Sequence, residues 1–108
     1  MHLGTGNYND ITAKLYTDMG ILTADDSIGE DATAVFNMLS GYSEPAKWNH
    51  LLVAPIWLRD SFLRLIQREI ATAKEGRKAH IIAKMNSLCD AKIIEALYEA
   101  SFAGVKIE

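Results

Sequence analysis

The sequence of 108 residues predicts an α/β protein, and the order of its apolar segments supports this class. Short continuous apolar runs, which suit buried strands, alternate with longer segments whose apolar residues recur at steps of three and four, as on one face of a helix. From Leu51 onward the order is strand, helix, strand, helix, strand. That order predicts a right-handed parallel βαβαβ unit. Residues 41–50 have turn composition without a clear period, so we expect a domain boundary or linker there.

The first half begins with a strand and a glycine-containing turn. Met1 to Leu3 is apolar and suits the last piece of a strand, and Gly4-Thr5-Gly6-Asn7 follows it directly. Residues 16–23 read as a second extended segment. Ser27 and Glu30 have the spacing of a capping box, which predicts that a helix starts there.

The second half supplies the elements of the βαβαβ unit. Leu51 to Ala54 is a continuous apolar run that ends at Pro55, which is the profile of a buried parallel strand. Asp90 can cap the second helix of the unit, and Gly104 can close it. The predicted elements are strands at residues 51–54, 80–84 and 105–107, and helices at residues 58–75 and between Asp90 and Gly104.

Composition and charge limit the classes of function. Hydrophobic residues make up 49% and charged residues 23%, which is ordinary for a soluble globular domain. The net charge of −3 gives no general attraction to nucleic acid or to anionic lipid. No apolar run is long enough to cross a bilayer, and the lone Cys89 fits a reducing compartment. We therefore expect a cytoplasmic protein with no transmembrane segment and no nucleic-acid partner.

The segment Gly4-Thr5-Gly6-Asn7 has the residue types of a phosphate site. Glycines leave room for a ligand, and successive backbone N–H groups near a helix start can point at an anion. A short turn without a ligand is the alternative, because glycine-containing turns are common where a strand meets a helix. The segment by itself leaves both interpretations open.

A longer set of motifs resembles the polyphosphate kinases that use a phosphohistidine, and it covers nearly the whole chain. These motifs are His2-Leu3-Gly4-Thr5-Gly6-Asn7-Tyr8-Asn9, Thr12-Ala13-Lys14-Leu15-Tyr16-Thr17-Asp18, Leu22-Thr23-Ala24-Asp25, Phe36-Asn37, Gly41-Tyr42, Leu51-Leu52-Val53-Ala54-Pro55, Arg68-Glu69, Lys84-Met85-Asn86-Ser87-Leu88 and Leu97-Tyr98-Glu99-Ala100-Ser101. The resemblance implies two partial phospholipase D-like folds. Residues 1–48 would end the first catalytic domain, and residues 49–108 would begin the second. It also implies that the chain is a central segment of a longer, homo-oligomeric enzyme.

The same resemblance implies an ATP- and Mg²⁺-dependent enzyme that passes the terminal phosphate of ATP reversibly to inorganic polyphosphate through a phosphohistidine. The phosphoacceptor of the family lies in a His-x-Lys motif. That motif is absent here, because Gly4, Leu52 and Ile82 stand two places after the three histidines. The residues that bind Mg²⁺ would also lie upstream, so no metal ligand is assigned within this sequence. We expect the chain alone to be inactive.

The resemblance further suggests roles for individual residues. His2 would be a second histidine near the reaction centre, where an imidazole can exchange a proton with phosphate oxygens. Asn7 would donate from its amide to a phosphoryl oxygen, and Tyr16 would contact ATP with its ring against the adenine. The residues expected near phosphate groups are Gly4, Thr5, Gly6, Lys14, Lys84 and Asn86.

Each role has a structural alternative that the sequence leaves open. His2 can be a merely exposed histidine, Asn7 a turn-stabilising asparagine, Tyr16 a core aromatic and Lys14 a solvated side chain. Two other functions also stay open. A phospholipase D-like phosphodiesterase would share the Gly-x-x-Asn element, and a non-enzymatic interaction module would pair through open strand edges.

Overall fold

A computed structural model describes residues 1–41 and 47–108, and it divides the chain into two compact units. The first unit spans Met1–Leu51 and the second Leu52–Glu108. Part of the linker predicted at residues 41–50 therefore lies outside the described residues. The chain combines helices with strands, which confirms the predicted α/β class. In the described ranges, no helix is both long enough and apolar enough to span a bilayer.

The first unit contains a two-stranded antiparallel ribbon and one long helix. Strand β1 (His2–Gly4) pairs with strand β2 (Gly20–Leu22), and a short 3₁₀ helix, Thr12–Lys14, lies in the connection between them. Helix α1 (Asp26–Leu39) follows β2. The sequence predicted both extended segments and this helix, and the structure confirms all three.

The start of α1 differs from the predicted capping box. The N-cap is Asp25, whose carboxylate accepts a hydrogen bond from the Ile28 backbone N–H at 3.0 Å. Ser27, which the sequence suggested as the cap, instead donates from its hydroxyl to Asp25 at 2.5 Å. The Ser27 hydroxyl first, and then the Ile28 N–H, lower the pKa of Asp25 because both hydrogen bonds stabilise the carboxylate. The prediction of a Ser27 and Glu30 box was therefore wrong.

The second unit packs two helices against a short parallel sheet. Helix α2 (Leu58–Lys74) is followed by strand β3 (His80–Ile81), helix α3 (Ala91–Phe102) and strand β4 (Lys106–Ile107). Strands β3 and β4 pair in parallel, and α3 is the crossover between them. The buried core consists of Ile66, Ile70, Ala79, Ala96, Ala100 and Val105. The predicted order of helix, strand, helix and strand is thus confirmed.

The strand predicted at residues 51–54 was wrong, because residues 51–53 belong to no strand and residue 54 lies in a turn. The Leu51 N–H donates to the Asp31 carboxylate at 2.8 Å. The Val53 carbonyl accepts from the Trp57 N–H at 3.0 Å, in the turn that leads into α2. A strand forms backbone hydrogen bonds with a neighbouring strand. The Leu51 N–H and the Val53 carbonyl are already bonded elsewhere. The described part of the second unit therefore contains one βαβ motif and not a complete βαβαβ unit.

A buried carboxylate fixes the end of the first unit. Asp31 on α1 is 2% exposed, and its oxygens accept the backbone N–H groups of Asn49, His50 and Leu51 at 2.9, 2.7 and 2.8 Å. Burial alone raises the pKa of Asp31, but the three hydrogen bonds together outweigh burial and leave its pKa below the ordinary value. The charged carboxylate therefore ties residues 49–51 to α1 at neutral pH.

Candidate functional site

The ribbon of β1 and β2 places His2 and two glycines on one face. Met1 and Thr23 exchange backbone hydrogen bonds at 2.6 and 3.0 Å, which makes them a hydrogen-bonded pair of the antiparallel ladder. Such pairs alternate with non-hydrogen-bonded pairs, so Gly4 and Gly20 form a pair of the second kind. His2 and Gly4 lie two positions apart and therefore share a face of the ribbon. The histidine is thus set next to a strip of backbone without side chains.

The imidazole of His2 lies across the two paired glycines. A Cβ atom added to Gly4 would lie 3.3 Å from Cε1 and Nε2 of the ring, and one added to Gly20 would lie 3.1 Å from Nε2. At the other ring nitrogen, Nδ1 is hydrogen-bonded to the Tyr8 hydroxyl. The two rings meet edge to face, with centroids 5.9 Å apart. The ring is therefore held by the glycine pair and by Tyr8.

The bend that follows β1 is closed by Thr5. Its backbone N–H donates to the Met19 carbonyl at 3.0 Å, and its hydroxyl donates to the Asp18 carboxylate at 2.9 Å and accepts from the Met19 N–H at 3.0 Å. A Cβ atom added to Gly6 would lie 3.1 Å from the carboxyl carbon of Asp18, so this glycine makes room for the carboxylate. Thr5 and Gly6 therefore build the bend, and their contact with phosphate stays a prediction.

Asn7, Lys14 and Tyr16, the other residues predicted for the site in the first half, are exposed to solvent. The Asn7 carbonyl accepts from the Asn9 N–H at 2.8 Å, which turns the chain after the bend. Tyr16 is 54% exposed, so it is not a core aromatic of this unit. These three side chains are accessible to a ligand, as their predicted roles require.

Negative charge dominates the first half of the chain. Residues 1–51 contain seven Asp or Glu and two Lys, whereas residues 52–108 contain seven Asp or Glu and nine Lys or Arg. One of the acidic groups, Asp18, contacts the bend directly. Carboxylates repel phosphate groups at short range. A phosphate site on the ribbon therefore needs more positive charge than the two lysines of residues 1–51 supply.

The second unit has a groove of about 800 Å³ along β3. Its lining is mostly apolar and includes the cationic side chains of Arg59, Arg68 and Lys84. Asn86 is not among the lining residues. A contact of Lys84 or of Asn86 with phosphate stays a prediction.

The described residues do not fit a magnesium site. No group of three or more His, Cys, Asp or Glu side chains converges in residues 1–41 and 47–108. Magnesium is usually held by carboxylates together with substrate phosphates and water. We therefore derive no step through a metal ion from this chain.

Tyr8 and Gly20 lie against His2, although the sequence did not point to them. Gly20 reaches His2 only through the register of the ribbon, which no local pattern reveals. Tyr8 lies inside the motif that carries the resemblance. Its place in a turn that reverses the chain was the one sequence feature that could have suggested a contact with His2. Asn9 stabilises this turn, because its side-chain oxygen accepts the Ile11 and Thr12 N–H groups at 3.0 Å each.

The chain is thus an α/β protein with an ordered histidine on a glycine-lined ribbon, and comparisons with known proteins supply its family. Residues 1–45 match the family model described as polyphosphate kinase C-terminal domain 1. Residues 51–108 match the model described as polyphosphate kinase C-terminal domain 2. The chain therefore belongs to the polyphosphate kinase family, and the resemblance seen in its motifs is confirmed.

Individual relatives agree with this assignment. A polyphosphate kinase of Halalkalibacterium halodurans is 65% identical over all 108 residues, and one of Lactiplantibacillus plantarum is 56% identical over the same length. The crystal structure of polyphosphate kinase from Porphyromonas gingivalis matches 98% of this chain with a TM-score of 0.89 and 41% identity, over 16% of its own length. The chain spans about 15% of the length of the curated relatives it matches.

Proposed function

We propose that the protein to which this chain belongs transfers the terminal phosphate of ATP reversibly to inorganic polyphosphate through a phosphohistidine. Membership in the polyphosphate kinase family, over both halves of the chain, supports this activity. The structural observation that carries the chain's own part is the imidazole of His2, which is exposed yet fixed on the ribbon. An ordered imidazole at a surface open to solvent is accessible to a phosphate oxygen with which it can exchange a proton.

In this proposal His2 assists the transfer, and the phosphoacceptor is a histidine elsewhere in the protein. His2 exchanges a proton with a phosphate oxygen, Asn7 donates an amide hydrogen bond to a phosphoryl oxygen, and Tyr16 stacks on the adenine. Lys14 and Lys84 supply positive charge toward the phosphates. The exposure of the first three side chains supports these roles.

The 108 residues by themselves are inactive under this proposal. No histidine of the chain stands in a His-x-Lys motif. The excess of acidic residues in the first half also disfavours binding of a polyanion such as polyphosphate by this half alone. ATP and Mg²⁺ are therefore bound with the help of residues outside this stretch.

We also propose the division of the chain between two catalytic domains of phospholipase D-like fold, with residues 1–48 in the first and residues 49–108 in the second. The two family models match on either side of residues 46–50, which supports a boundary in this region. The full protein is proposed to be a cytoplasmic homo-oligomer.

The test is transfer of labelled terminal phosphate from ATP to polyphosphate by the full-length protein and its variants. We expect His2→Ala to reduce kcat by about a hundredfold or more, as is typical for loss of a proton-transferring side chain. His50→Ala is the matched control, because the backbone N–H by which His50 binds the Asp31 carboxylate is kept in the variant. Equal activity of the His2→Ala and His50→Ala variants would contradict the proposed role. The isolated 108 residues should show no transfer.

A further inference from the structure

We propose that Tyr8 is a positioning residue that acts through His2, so that Nε2 of His2 is the nitrogen that exchanges a proton with phosphate. This inference rests on the proposed function. It assigns Tyr8 a task for which the family resemblance supplied no role, and it explains why glycines occupy both positions beneath the ring.

The two nitrogens of His2 have different surroundings. Nδ1 is hydrogen-bonded to the Tyr8 hydroxyl. Nε2 makes no hydrogen bond to any residue within 1–41 and 47–108. A hydroxyl both donates and accepts, so Tyr8 can stay bonded to Nδ1 whether the ring is neutral or charged. Nε2 is therefore the nitrogen left for a substrate oxygen.

The contact with His2 is the main interaction of the Tyr8 side chain. Tyr8 is 95% exposed, so its ring contributes almost nothing to packing of the unit. A buried tyrosine would be retained for the area that it covers, and that explanation does not apply here. The turn stabilised by Asn9 and the bend closed by Thr5 bring this exposed ring back to the face of β1 that carries His2.

Gly4 and Gly20 form the surface against which the His2 ring packs. The ideal Cβ positions of Gly4 and Gly20 lie 3.3 and 3.1 Å from Nε2, which is closer than ordinary van der Waals contact. An alanine at either position would push the ring away from the ribbon. Tyr8 thus fixes the ring at Nδ1, while the glycines leave room for it close to the backbone.

His2 contributes a proton transfer and forms no bond to phosphorus. As the bond between the bridging oxygen and the terminal phosphorus of ATP breaks, and the phosphoacceptor histidine bonds to that phosphorus, the imidazole of His2 donates the proton on Nε2 to the leaving oxygen of ADP while Nδ1 remains bonded to Tyr8. In the reverse direction the proton returns from the phosphoryl oxygen to Nε2. No covalent bond forms between His2 and phosphate.

The experiment is a double-mutant cycle in the full-length protein, with kcat and KM for ATP measured separately. Tyr8→Phe keeps the ring and removes the hydroxyl. We expect kcat to fall about tenfold, which corresponds to one hydrogen bond that matters in the transition state, while KM for ATP is unchanged. In the His2→Ala background the same Tyr8→Phe change should have no further effect, because Tyr8 then has nothing to position. Tyr98→Phe on α3, also at an exposed tyrosine, is the control and should leave kcat unchanged.

Two outcomes would overturn the inference while the proposed function stands. One is an unchanged kcat for Tyr8→Phe in a protein whose His2→Ala variant has lost activity. The other is an equal loss from Tyr8→Phe in both His2 backgrounds, which would indicate a general structural role.

If the His2→Ala variant is too slow to measure, a crystal structure of full-length Tyr8→Phe decides the matter. The ring of His2 should then have left the glycine pair, and an unmoved ring would contradict the inference. Absence of activity in the wild-type protein would instead contradict the proposed function.

Discussion

At the scale of single residues, the glycines around the bend make room for different side chains, and the motif Gly4-Thr5-Gly6-Asn7 does not reveal which glycine serves which side chain. Gly6 makes room for the Asp18 carboxylate, whereas Gly4 and Gly20 make room for the His2 imidazole. A phosphate turn needs glycine for open backbone, but here the nearest atoms belong to the protein itself. The space above these glycines is occupied by side chains that order the site.

Gly20→Ala tests the glycine pair. The new Cβ would lie 3.1 Å from Nε2 of His2, which is the far end of a side chain, so the ring shifts and the backbone stays. We expect the full-length variant to fold normally and to lose about tenfold in kcat, since the displaced nitrogen no longer meets the substrate.

Gly29→Ala is the matched control for this substitution. A Cβ at Gly29, in α1, meets no atom within 4 Å. In a helix, alanine in place of glycine should stabilise the protein by about 0.5 to 1 kcal/mol and leave kcat unchanged. Equal kcat values for the two alanine variants, measured in one assay, would remove the argument for the glycine pair.

The sequence predicted some of these residue-scale features and missed others for a physical reason. His2 and Asn7 were predicted as site residues because they stand in a motif, and their roles stay predictions. The contact of Gly20 with His2 depends on strand register, which arises from the pairing of segments separated along the chain. The contact of Tyr8 with His2 depends on the path of the chain through the bend, and the hydrogen bonds of Thr5 and Asn9 set that path.

At the scale of elements, helices were easier to predict than strands. Helix α2 was expected at residues 58–75 and occupies Leu58–Lys74, because its apolar stripe and the glycine after it are local signals. Asp90 caps α3 as predicted, accepting from the Ile93 N–H at 3.0 Å. The run at residues 51–54 looked like a strand, but strands also need partners, and here Asp31 takes one of the N–H groups.

The Asp31 anchor gives a prediction for local stability. Asp31→Asn puts an amide, with its own N–H donors, opposite the N–H groups of Asn49, His50 and Leu51. We expect the free energy of local opening at these three amides to fall by about 1 to 3 kcal/mol. Hydrogen exchange of the full-length protein, followed at these amides, measures it. Asp26→Asn, at an exposed position of the same helix, should leave their exchange unchanged.

The same anchor predicts a direction for the pH dependence of stability. The pKa of Asp31 is lowered in the folded state from an ordinary value of 3.8, so the folded protein binds fewer protons than the unfolded chain near that pH. The contribution of Asp31 to the free energy of unfolding is complete above pH 3.8, the ordinary pKa. It is lost as the pH falls through the lower pKa of the folded state. Thermal unfolding of wild-type and Asp31→Asn proteins, from about pH 6 to about pH 2, should therefore converge at the acid end. A difference that grows toward acid would contradict this account.

At the scale of the whole chain, both units expose large apolar side chains. Phe102 is 91% exposed, Leu22 83% and Ile82 72%. Contact of large apolar side chains with water is unfavourable, and the relatives are much longer than this chain. These side chains suit surfaces that are covered in the full-length protein.

This exposure predicts self-association of the isolated 108 residues. Size-exclusion chromatography at several concentrations should show an apparent mass that rises with concentration. Phe102→Glu, which replaces the most exposed of these three apolar side chains, should weaken that dependence. A constant monomeric mass for the unmodified chain would show that its apolar surface does not drive association.

The measurement that tests the central claim most directly is the location of the phosphate in the phosphorylated enzyme. The full-length protein would be labelled with the terminal phosphate of ATP, digested under conditions that preserve phosphohistidine, and its labelled peptide identified by mass spectrometry. We predict that the label lies on a histidine outside these 108 residues and that His2→Ala slows the appearance of the label without moving it. Label on His2, His50 or His80 would contradict the assignment of His2 as the assisting imidazole and of the acceptor to another part of the protein.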